Sequence, residues 1–150
     1  MTTVLLVDDD VISLEVLAEA LKDEGYEAVA VSDPETAIQT ALEIKPDFII
    51  IDIVMPNKSG LELCREFKLN PLTREIPIMF LSSSEDLNHA IASLHLGCVD
   101  YLRKPIRASQ LSDVIRKHDV IREISKVWQC ARRELETILD KYRHEEKRNN

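Results

Sequence analysis

The stretch Phe48-Ile49-Ile50-Ile51-Asp52-Ile53-Val54-Met55-Pro56 decides the fold. Its apolar, mostly β-branched residues run almost without polar interruption, as in a parallel strand buried on both faces. The one ionisable group, Asp52, stands near the end of the run. Four further short runs of the same kind lie outward from it: VLLV (4–7), AVAV (28–31), IPIMFL (76–81) and VDYL (99–102).

Amphipathic stretches separate these runs. Leu14, Leu17, Ala18 and Leu21 follow the i, i+3, i+4, i+7 spacing of one helix face, and Gly25 stands where a terminating glycine belongs. Asp33-Pro34 reads as a cap followed by a first-turn proline, with Ala37, Ile38, Ala41 and Leu42 as the stripe behind it. Leu61, Cys64 and Phe67 mark a third helix. Leu87, Ala90, Ile91 and Leu94 mark a fourth, which Gly97 ends. Strands alternating with single helices predict a doubly wound α/β sheet, with right-handed crossovers placing helices on both faces.

In such sheets function gathers at the carboxyl ends of the strands. The unusual polar residues fall there: Asp8, Asp9 and Asp10 after the first strand, Asp52 near the end of the third, Ser82 ending the fourth and Lys104 after the fifth. Clustered carboxylates repel one another unless a cation joins them. Mg²⁺ suits the position, because it takes one or two carboxylates, keeps waters and accepts phosphate oxygens. An aspartate with an ordinary pKa of about 3.9 is ionised at neutral pH. It can attack phosphorus without a general base, giving an aspartyl phosphate. Lysine supplies a compact charge for a phosphoryl oxygen, and a serine hydroxyl can donate to another.

At these residues the chain closely resembles the bacterial response-regulator receiver family, chemotaxis regulators included, over roughly residues 2–120. The acidic pair appears as Asp8-Asp9, the phosphoacceptor as Asp52, and Met55-Pro56 and Gly60 stand at the family's spacings from it. Ser82 matches the switch hydroxyl, Tyr101 the switch aromatic and Lys104-Pro105 the Lys-Pro pair, whose peptide bond the resemblance implies is cis. Val54 matches the position that lends a backbone carbonyl to Mg²⁺. The resemblance implies a flavodoxin-like five-stranded parallel sheet of order 2-1-3-4-5. It also implies Mg²⁺-dependent acceptance of a phosphoryl group on Asp52, from a sensor histidine kinase or phosphotransfer protein. In that family phosphorylation draws the hydroxyl, here Ser82, toward the phosphoryl group and lets the aromatic, here Tyr101, turn inward. One departure stands out: neither Val54 nor Ser84, each two residues beyond a key position, carries an acid or amide to orient water, so autodephosphorylation is expected to be slow.

From about residue 108 the pattern changes. Ile121, Ile124, Trp128, Ala131, Leu135, Ile138 and Tyr142 alternate spacings of three and four, a heptad-like seam. The expected organisation is a receiver over 1–120 and a helical coiled-coil extension or linker over 121–150. Homodimerisation through 121–142 is the favoured use of the seam, and HEEKRNN at the end is expected to fray.

Composition bounds what else the chain does. The net charge of −8 divides into 19 acidic and 6 basic residues over 1–102, against 8 acidic and 13 basic over 103–150. The first part repels nucleic acid, and the tail's mixed signs read as a solvated helix face. No apolar run nears the roughly 20 residues of a membrane span. The start reads as no signal peptide, and three widely spaced cysteines suit a reducing compartment, so the cytoplasm is the expected location. Asp10 reads as a helix start, His89, His95, His118 and His144 as surface groups, and Trp128 as packing. A transcription factor is disfavoured for want of a second helical unit. A phosphatase of related fold is disfavoured because Val54 stands where its second aspartate belongs. The chain is therefore expected to catalyse only its own phosphorylation and dephosphorylation. The alternative is the N-terminal receiver and signalling helix of a larger regulator with an enzymatic output domain.

Overall fold

The computed structural model describes residues 1–83 and 87–149, so Ser84 and the side chain of Leu87 lie outside the described residues. In chain order the elements are β1 (Thr3–Val7), α1 (Val11–Asp23), β2 (Glu27–Val31), α2 (Ala37–Ile44), β3 (Phe48–Asp52), α3 (Gly60–Leu69), β4 (Ile78–Ser82), α4 (Leu87–His95), β5 (Asp100–Arg103) and α5 (Ala108–Asn149). The strands form one five-stranded parallel sheet in the order β2-β1-β3-β4-β5.

β3 and β4 are buried at every residue, which is why their sequences show no polar alternation. Successive side chains still point to opposite faces. Leu5, Val7, Ile49, Ile51 and Phe80 pack with Ala37, Ala41, Leu63, Cys64 and Phe67 of α2 and α3. Leu6, Ile50 and Leu81 instead meet Leu14 and Leu17 of α1 on the other side. Burial pushes the Cys64 thiol up to about 11, as expected of a packing residue rather than a nucleophile.

The helix ends explain themselves locally. Asp10 caps α1 by accepting from the Ile12 and Ser13 amides, and Gly25 closes it at φ 95°. Asp33 and Pro34 do start a helical segment, but its first turn, Pro34–Thr36, is 3-10 and α2 follows. α4 differs more from expectation. Ile91 and Leu94 are exposed while Ser93 is fully buried, its hydroxyl donating to the Ala90 carbonyl at 2.7 Å. The helix satisfies that hydroxyl itself, so apolar spacing alone misjudged the inward face. Within the described residues α5 runs to Asn149.

The chain divides into two compact units, Met1–Val114 and Ile115–Asn150. In the second, every described side chain from Glu123 onward is exposed.

One glycine is required by close approach. The Gly60 amide donates to the Ile53 carbonyl at 2.8 Å, drawing the start of α3 against the end of β3. A Cβ here would overlap the Asp52 carbonyl oxygen and lie 2.8 Å from Ile53 Cα. Both neighbours are backbone and cannot swing aside. Gly60→Ala is expected to cost about 1–3 kcal/mol of stability, read from the denaturant midpoint, with the Asp52 end of β3 displaced.

Candidate functional site

Each element contributes to one sheet edge. β1 ends at Val7 and delivers Asp8 and Asp9. Asp52 is the last residue of β3 and pairs with Leu81, so β4's last residue, Ser82, falls one step beyond it. The Lys104 amide donates to the Ser82 carbonyl at 2.8 Å, which places the lysine next to the end of β4. The Lys104–Pro105 peptide bond is cis.

Asp8, Asp9 and Asp52 each bring a carboxylate oxygen within 4.8 Å of the others. Asp8 and Asp52 are buried and Asp9 is exposed. The Lys104 ammonium donates to Asp8 Oδ2 at 2.7 Å and stands 3.8 Å from Asp52 Oδ2. The other Asp8 oxygen accepts the Asp10 amide at 3.0 Å. Asp52 Oδ1, by contrast, is buried with no hydrogen-bond partner. An orphaned buried carboxylate oxygen beside two further acidic groups is the donor set a small divalent cation takes. The residues present therefore fit Mg²⁺.

The electrostatics agree. Burial raises the Asp52 carboxyl to about 7; Lys104 opposes the rise, and the charges of Asp8 and Asp9 add to it. This modifies the expectation that Asp52 is simply ionised at neutral pH. Without a cation its charge is contested, so ionisation and cation binding are linked. Burial pulls the Lys104 ammonium down, but the Asp8 hydrogen bond and the nearby carboxylates outweigh it and hold the group above its ordinary value.

The remaining expected residues are placed as follows. Ser82 is fully buried, and Tyr101, opposite Phe80 on β5, is half-buried against the core. Val54 lies beyond β3 with its side chain half exposed. Asp10 caps α1, although its charge contributes to the field at Lys104.

Sequence reasoning missed Lys58. Its ammonium bridges Glu66 of α3 at 2.7 Å and Glu35 at 3.1 Å, tying down the loop that follows Asp52. Asn57 just before it takes φ 68°, a conformation asparagine tolerates better than most residues. No local pattern announces a lysine whose two partners come from different helical segments.

Comparison with known proteins follows from this geometry. A family model described as response regulator receiver domain matches residues 4–116. The phosphate regulon transcriptional regulatory protein PhoB of Pseudomonas aeruginosa is 36% identical over 109 residues, covering 73% of this chain and 48% of that protein. The chain thus spans about half the length of the curated relatives it matches first. Among solved structures, a putative response regulator from Chloroflexus aurantiacus superposes with a TM-score of 0.72 at 34% identity, covering 77% of this chain and 95% of that one. The Vibrio cholerae chemotaxis protein CheY4 gives 0.73 at 26% identity, covering 78% and 98%.

Proposed function

The chain belongs to the response regulator receiver family, and from that premise we propose that Asp52 accepts a phosphoryl group in a Mg²⁺-dependent reaction and that the modified domain signals through protein contacts. The donor is a sensor histidine kinase or a phosphotransfer protein. The observation that carries the reading is Asp52 Oδ1, buried and unpartnered beside Asp8, Asp9 and Lys104.

Asp8, Asp9 and Asp52 would hold the cation, with the Val54 carbonyl as a further ligand. When bound, Mg²⁺ supplies positive charge to the donor's phosphoryl oxygens. Everything else falls to the chain's own groups. A carboxylate oxygen of Asp52 forms the new O–P bond as the donor's P–N bond breaks. The departing imidazole nitrogen keeps the electron pair and takes a proton from solvent. Lys104, already held by Asp8, offers its ammonium to a phosphoryl oxygen. The Ser82 hydroxyl donates to another and, with Tyr101, relays the change by shifting the population between two packings. The reaction modifies the protein itself, so the chain acts as a switch rather than as an enzyme with external substrates.

Among the described residues no helix is long and apolar enough to cross a membrane. With three free cysteines, we place the protein in the cytoplasm. We assign the tail to self-association through residues 121–142 and assign no nucleic-acid contact to it. A second reading is favoured by the relatives, of which this chain covers only about half: a receiver and signalling helix within a larger regulator that carries an enzymatic output domain.

The test is mass measurement after incubation with a small-molecule phosphodonor. Phosphorylation is expected with Mg²⁺ and lost when a chelator removes it; chelator-resistant modification would refute the metal's role. Followed after donor removal, the phosphoryl group should persist well beyond seconds, because Val54 offers nothing to orient an attacking water.

A further inference from the structure

The face that the tail helix exposes is wider than the expected heptad seam. Val120, Val127 and Leu139 fall outside that seam, yet they are as exposed as the residues within it. Taken together, the apolar residues obey a different period. Residues 124–131 read I-x-x-V-W-x-x-A, and residues 135–142 read L-x-x-I-L-x-x-Y. Each position of the first segment recurs eleven residues later as another apolar one. Val120 extends the series backward, since it stands eleven residues before Ala131. The large side chains of the two segments are 45–70% exposed, and Ala131 is exposed between them.

Eleven residues complete three turns at about 3.67 residues per turn, close to the natural twist of an α-helix. An apolar stripe of this period runs almost straight along the helix, with slight right-handed drift. A seven-residue seam would instead coil to the left. The charges bordering the stripe keep the same period. Glu123, Glu134 and Glu145 stand on one side, and Arg132 and Arg143 on the other. One step further out, the signs reverse on both sides, with Lys141 beyond the glutamates and Glu136 beyond the arginines.

We propose that residues 120–142 bind the same segment of a second copy of this chain, parallel and in register, along this eleven-residue stripe. This rests on the self-association reading above and deepens it. Charge complementarity identifies the occupant. In a parallel pair, one border of each helix faces the other border of its partner, so glutamates meet arginines and Lys141 meets Glu136. In an antiparallel pair each border faces its own kind, glutamate against glutamate and arginine against arginine. Arg143 also lies 3.6 Å from Asp140 of its own helix, an exposed contact weak enough to leave the arginine available to a partner. The wide, continuous stripe also suits pairing better than exposure to water.

The experiment uses the whole 150-residue chain. Sedimentation is expected to give the mass of two chains, falling to one chain in Ile124→Asn and Leu135→Asn. Cysteines are then placed one at a time in a Cys98→Ser, Cys130→Ser background, which keeps only the buried Cys64 and alone should not crosslink. Under mild oxidation Ile124→Cys and Leu135→Cys are each expected to crosslink to themselves, because in a parallel, in-register pair each meets its own copy. Val120→Cys should crosslink and Ile121→Cys should not, because the eleven-residue stripe contains position 120 and a heptad seam contains 121. A natural chain that sediments as a monomer overturns both this proposal and the self-association reading. A dimer that crosslinks at only one of 124 and 135, or at 121 rather than 120, overturns this proposal and leaves self-association standing. Phosphorylation at Asp52 is read separately and is expected to be unchanged in all these variants.

Discussion

Incubated with a small phosphodonor and Mg²⁺, the natural chain is expected to gain about 80 Da, the mass of one phosphoryl group, and the Asp52→Ala chain nothing. Three carboxylates share the site, so the choice among them needs a reason. Asp8 has both oxygens engaged, one by Lys104 at 2.7 Å and the other by the Asp10 amide at 3.0 Å. Attack from either would first break a part-buried, charge-assisted contact. Asp9 is exposed, whereas the ion pairs of Lys104 are with Asp8 and Asp52. Asp52 alone combines burial, an oxygen without a partner and a cation nearby. Removing it removes the nucleophile, so the loss should be complete rather than partial. Phosphorylation of Asp52→Ala at another carboxylate, located by peptide mass mapping, would overturn the assignment.

Asp52→Asn is expected to make the metal-free protein more stable at pH 8 and to leave it nearly unchanged below about pH 4. The sign follows from the raised carboxyl. Its value in the fold is about 7 against 3.8 in the free residue, mainly because burial disfavours the charge. The folded state therefore binds this proton more tightly than the unfolded chain, and stability falls as pH rises between those two values. Below that window both states are protonated and the group costs nothing. Above it the fold carries a buried charge that the amide lacks, and the expected gain from Asn is of order 2 kcal/mol. Paired thermal melts across this range read the effect. Added Mg²⁺ should stabilise the natural chain more than the variant, since it supplies the opposite charge. An equal gain at both pH extremes would show that packing, not charge, distinguishes the two side chains.

Much of this was legible because the signals were local. A run such as FIIID announces a strand covered on both faces through residue type alone, and Gly25 and Gly97 announce helix ends through the positive φ that each adopts. The candidate residues were legible because the strand ends put them at one edge of the sheet. The apolar face of α4 was misread because a serine that bonds its own helix can be buried in place of a leucine. The tail was read as heptads because spacings of three and four fit both a seven- and an eleven-residue period. Counting Val120, Val127 and Leu139 with the other apolar residues favours the longer period proposed above.

By itself, the sequence determined the alternation of strands and helices and which polar residues would share an edge, because periodicity and residue type act over a few neighbouring positions. Tertiary structure alone decided the state of that edge. Lys104 reaches Asp8 across 96 residues of chain, Lys58 joins two helical segments, and Asp52 keeps one oxygen without a partner. Burial and charge at a point in space depend on everything packed around it, and no stretch of the chain carries that sum.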